Sequence, residues 1–128
     1  RLIVSTASEE EWLDNIVDLG WRLYLCSSPP YLLQTSVDKR MREYTDLAFA
    51  GEIKKAKKVR DSLDPVRKAI RETKPGDKPP AHGKYWQDLL GQAGGPVRQP
   101  MLNLTDEEKA LVKVAFDGCG LQLTGLAA

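Results

Sequence analysis

The sequence predicts an α/β opening on a chain that is otherwise helical. Three observations lead there. Leu2-Ile3-Val4-Ser5 is a short apolar, β-branched run of the kind buried in parallel sheets. A helical segment follows it, and Trp21-Arg22-Leu23-Tyr24-Leu25-Cys26 then reads as a second strand. From Tyr31 onward the apolar residues recur at threes and fours, with no run of strand character.

The first helix is expected to start at a capping box formed by Ser8 and Glu11 and to run to about Leu19. Trp12, Leu13, Ile16 and Leu19 fall on one face, Glu9, Glu10 and Glu11 suit its positive end, and Gly20 supplies the stop. Two strands bridged by one helix make a βαβ unit with parallel strands, and such a pair cannot cover both its faces. Neighbouring strands or a partner are therefore expected. The chain also begins at Arg1, directly before an apolar run, so a further segment upstream is expected.

Ser27-Ser28-Pro29-Pro30 ends the sheet. Leu32, Leu33, Val37, Met41, Tyr44, Leu47 and Ala48 predict one amphipathic helix from Tyr31 to Ala50, closed by Gly51. A second spans Glu52 to about Leu63, and Pro65 bends the chain before it continues through Val66, Ala69 and Ile70. Lys74-Pro75-Gly76-Asp77-Lys78-Pro79-Pro80 is predicted as a loop, since three prolines and a glycine in seven residues do not sustain a helix. A short helix over Tyr85 to Gly91 comes next. Thr105 and Glu108 form a capping box that opens the last helix, which closes near Gly118.

The 128 residues are 41% hydrophobic and 29% charged, enough for a real core. Lys plus Arg number 19 against 18 Asp plus Glu, so a net charge of +1 gives no field for nucleic acid or anionic membrane. No stretch approaches the ~20 apolar residues of a membrane span, and no signal segment opens the chain. Cys26 and Cys119 lie far apart, without zinc-site or disulfide-scaffold spacing. A reduced, cytoplasmic protein without metal or cofactor is expected.

Gly94-Gly95-Pro96-Val97-Arg98-Gln99-Pro100-Met101-Leu102 joins a glycine stop to an extended, proline-flanked strap, and Asn103-Leu104-Thr105-Asp106-Glu107-Glu108 then starts a helix. This order resembles the C-terminal end of the dihydrodipicolinate synthase and N-acetylneuraminate lyase family. Tyr44 to Ala56 is similar to the helix, Gly, acidic, helix join of that family, and Leu63-Asp64-Pro65 to its kinked Leu-x-Pro. Val4-Ser5-Thr6 with the acidic helix resembles the seventh barrel strand and its helix, and Gly20 to Ser28 the eighth strand. The resemblance thus spans the whole chain.

It implies the C-terminal part of a (β/α)8 TIM barrel: residues 1–30 end the barrel, and residues 31–128 form its last helix plus a helical subdomain. The family's lyases, aldolases and dehydratases act on pyruvate or a related 2-keto acid through a lysine Schiff base on the sixth strand, and they assemble as dimers or tetramers. That lysine would lie upstream, and no lysine here matches the motif, so no catalytic residue is assigned. Barrel active sites sit at the C-terminal ends of the strands, which makes Ser5, Thr6, Tyr24 and Ser27 candidates for the pocket wall. Thr6 replaces the usual Gly, and Ser27-Ser28 the usual Asn region. Those departures point away from a lysine-biosynthesis substrate. Arg98 resembles a strap position expected to act as a structural clamp on carbonyls or a carboxylate. The alternative is a non-catalytic helical module, derived from the barrel tail, that works through a protein partner.

Other residues read as structural. His82, the single histidine, is placed in the proline-rich loop beside Gly83 and expected at the surface. Glu9, Glu10 and Glu11 are explained by the helix dipole rather than as a carboxylate pair. The cluster from Lys54 to Arg60 is expected as a solvated face, and Trp12, Trp21, Tyr85 and Trp86 as core or contact residues.

Overall fold

A computed structural model of the protein describes residues 8–21 and 30–123. These are mostly helical, with no strand among the described residues. Both expected strands fall outside them, apart from Trp21, which lies in no regular element. After a 3-10 turn at Glu9–Glu11 the helices are α1 (Trp12–Leu19), α2 (Arg40–Phe49), α3 (Ile53–Asp61), α4 (Asp64–Thr73), α5 (Pro79–Leu89) and α6 (Asp106–Gly118).

The glycine stops stand where the sequence places them. Gly20 closes α1 and Gly51 separates α2 from α3, both with φ in the left-handed region (63° and 79°) that a side chain would strain. Pro65 sits in the first turn of α4, where its missing N–H costs no bond, so the expected bend is a break into two helices. At α6 the Thr105 hydroxyl accepts from the Glu108 amide at 3.2 Å and the Glu108 carboxylate accepts from the Thr105 amide at 2.7 Å. The capping box is complete.

Three expectations need correction. The helix foreseen from Tyr31 to Ala50 is a 3-10 turn, Pro30–Leu33, followed by a non-helical stretch and then α2. The break comes from the Thr35 hydroxyl, which accepts from the Val37 and Asp38 amides and so draws them out of a helical ladder. The loop from Lys74 ends two residues sooner than expected, because Pro79 and Pro80 occupy the first turn of α5. Ser8 makes no side-chain cap bond at the start of its turn, so the box expected with Glu11 is not formed.

One core joins the elements. Trp12, Leu13 and Ile16 of α1 pack with Met41, Tyr44 and Ala48 of α2 and with Ala56 of α3, and Trp12 meets Phe49 edge to face with ring centroids 5.7 Å apart. Leu63 and Val66 then carry the core to α6, where Val112 and Phe116 cover Trp86 of α5. Leu19, by contrast, points outward. No helix among the described residues is long and apolar enough to cross a membrane.

Candidate functional site

Ser5, Thr6, Tyr24 and Ser27 lie outside the described residues. Arg98 is exposed, and its backbone carbonyl accepts from the Met101 amide at 3.1 Å. The strap is pinned by other side chains. Asp88 accepts from the Gly94 and Gly95 amides at 2.9 and 3.1 Å, Lys84 donates to the Gly94 carbonyl at 2.8 Å, and Asn103 accepts from the Val97 amide at 3.0 Å. Gly94 approaches α5 so closely that a Cβ there would run into the Lys84 carbonyl. The strap carries a cis peptide between Gln99 and Pro100.

The most elaborate polar site is centred on Glu9, which is 3% exposed. Its two carboxylate oxygens accept from Arg67 Nε and Nη2, each at 2.8 Å, and the Tyr44 hydroxyl donates to the same carboxylate. Arg67 spends its remaining Nη1 on the Arg60 carbonyl and Asp64, again at 2.8 Å each. Burial works against the Arg67 charge, but the Glu9 bonds outweigh it and raise its pKa further. For Tyr44, burial and the adjacent Glu9 carboxylate both push the phenol up. The group holds an ion pair, and the raised phenol keeps its proton near neutral pH and serves as donor.

The helix dipole expected to explain Glu9 therefore leaves out its buried ion pair with Arg67. The missed signal lies in the helix stripes. Val66 and Ala69 of α4, with Leu63 just before it, face the core, and Arg67 falls among them; a charge on a core stripe requires a buried partner. Glu9 is the acid that reaches it, while Glu10 and Glu11 remain exposed.

A second buried carboxylate, Asp38, pairs with Arg40 Nε and Nη2 at 2.9 and 2.6 Å and accepts from the Gln122 amide at 3.2 Å. Burial alone would raise its pKa, but the Arg40 and Gln122 bonds prevail and hold it below the usual carboxylate range. Arg40 also donates to the carbonyls of Ser62 and Gly120, at 2.8 and 3.0 Å, tying the chain's late residues to α2 and the α3–α4 junction.

His82 is likewise not a surface residue. It lies within α5 at 1% exposure, its Nε2 2.9 Å from the Thr73 hydroxyl and its ring stacked on Trp86. The helix begins at Pro79, which turns the expected loop histidine inward, four residues before Trp86 on the same face. Cys119 is buried, its thiol donating to the Phe116 carbonyl at 3.0 Å, and burial pushes its pKa up, so it offers no thiolate.

An open groove of about 800 Å³ runs between α1 and the α3–α4 pair. Glu10 and Asp14 on one side oppose Arg60 and Arg71 on the other, so its charges neutralise one another rather than select an ion. Among the described residues no three His, Cys, Asp or Glu side chains gather to hold a metal. No family model matches the chain, and no curated protein or solved structure matches it either. Among the described residues the buried charges of Glu9, Asp38 and Arg67 are paired.

Proposed function

We propose that these residues are the C-terminal part of a lyase of the dihydrodipicolinate synthase and N-acetylneuraminate lyase type. In this reading residues 1–30 complete a (β/α)8 barrel and residues 31–128 supply its last helix and a helical subdomain. The enzyme acts in the cytoplasm on pyruvate or a related 2-keto acid through a lysine Schiff base contributed from upstream. Ser5, Thr6, Tyr24 and Ser27 then form part of the pocket wall. The observation that carries the reading is the strap. It leaves α5 at a glycine stop, turns at Arg98–Met101 with Val97 and Asn103 joined across the turn, and enters α6 through the Thr105–Glu108 capping box, so the segments follow in the order of the resemblance although the strap is bent rather than extended.

The helix, Gly51, helix join of α2 and α3 supports the same reading. Assembly as a homo-oligomer, or with the remainder of a barrel, fits the apolar residues that α6 turns outward, Leu111 at 67% and Val114 at 73% exposure. That same face favours the second reading, a non-catalytic helical module docked on a protein partner.

Borohydride reduction in the presence of pyruvate separates the two. The lyase reading expects the protein as purified from its source to be about twice this size or more and to gain the mass of one reduced pyruvate adduct. A source protein of this length with no adduct would leave the interaction module.

A further inference from the structure

The environment of His82 fixes where its proton sits. The Thr73 hydroxyl donates to the Ala69 carbonyl at 2.7 Å, so its oxygen acts as acceptor in the 2.9 Å bond to His82 Nε2. Nε2 therefore carries the hydrogen, and burial of the ring favours its neutral form, with Nδ1 unprotonated. The ring stacks on Trp86 with centroids 5.9 Å apart and planes at 28°. Trp86 in turn donates to the Leu32 carbonyl at 3.1 Å and meets Phe116 edge to face at 5.0 Å. One neutral imidazole thus sits where the Pro30–Leu33 turn, α4, α5 and α6 converge.

A second proton would bring a charge into this junction without an acid to receive it. From the end of α4 comes Lys74, which repels it. From the residue just before α5 comes Lys78, whose ammonium is spent on both Glu108 oxygens at 2.9 Å. α6 otherwise presents Val112 and Phe116, and the Pro30–Leu33 turn presents Leu32 and Leu33. The Trp86 face returns part of the cost by cation–π attraction.

We propose that His82 is an acid-sensitive latch, whose protonation at Nδ1 opens the junction of α4 with α5 and α6. The inference is independent of the lyase reading. Burial, with Lys74 adding to it, lowers the imidazole pKa from 6.5 to about 4. Because the folded value is depressed, the stability held by the neutral ring is complete above pH 6.5 and is lost as pH falls toward 4. That difference raises the unfolding constant about 30-fold at pH 5 relative to pH 8. The carboxylates Asp38 and Glu108, also held low, lose their contribution at more acid pH, so the interval from 6.5 to 5 belongs to His82.

Urea unfolding of the full chain at pH 8 and pH 5, for the wild type and His82→Gln, tests the latch. The wild type is expected to show the 30-fold rise and the glutamine variant, which keeps a neutral donor toward Thr73, at most a few-fold one. Nitrogen-15 NMR of the single imidazole should find the Nε2–H tautomer at pH 7 and a ring still largely neutral in the folded protein at pH 5. A ring that titrates near 6.5 with the helices intact would overturn the latch, as would an equal rise in the variant. Should His82→Gln fail to fold, the wild-type imidazole titration decides alone.

Discussion

Arg67 and His82 are both buried basic side chains at the inner ends of helices, yet one is charged and the other neutral. Arg67 enters the core with Glu9, Asp64, the Arg60 carbonyl and, through Glu9, the Tyr44 hydroxyl, so each of its charged nitrogens has an acceptor. His82 enters with one hydroxyl and an indole face. The difference teaches where each region is vulnerable. A closed ion pair resists pH but fails when a partner is removed, because the survivor is a buried, uncompensated charge. A neutral imidazole with one acceptor loses little by substitution with another neutral donor and much by protonation.

The comparison is broken most severely at the ionic centre. Arg67→Met leaves the Glu9 carboxylate buried without its guanidinium and is expected to cost about 3–5 kcal/mol in urea unfolding at pH 7. The strap should come next. Gly94→Ala drives a methyl into the Lys84 carbonyl and is expected to cost ~1–3 kcal/mol, with loss of amide protection at Gly94 and Gly95 by hydrogen exchange. Smallest is the cap of α6: Thr105→Ala removes one of two reciprocal bonds and should cost about 1 kcal/mol by thermal unfolding, leaving the Lys78–Glu108 pair in place.

The elements that could be read from sequence are those set by local chemistry. Gly20, Gly51, Pro65 and the Thr105–Glu108 box act within a few residues of themselves, and the structure has them doing so. What sequence reasoning missed depends on contacts across the chain. Glu9 meets Arg67 58 positions later, and Asp38 meets the Gln122 amide 84 positions later, which no periodicity encodes. His82 was misread for a different reason. Pro79 and Pro80 look like helix breakers, but in a first turn they are tolerated, and a helix that starts at Pro79 instead of Tyr85 carries His82 from a loop to the core. The strap was legible as a segment, whereas its fastening through Asp88, Lys84 and Asn103 was not.

The double-mutant cycle of Glu9 and Arg67 tests most directly the claim that this scaffold keeps its buried charges by spending them on each other. Glu9→Leu and Arg67→Met each remove one partner, and the double variant removes both charges from the core. The double variant is expected to recover most of the loss, standing at least ~2 kcal/mol above the sum of the single effects. Strict additivity of the two losses would contradict it and would mean that Glu9 and Arg67 stabilise the fold separately.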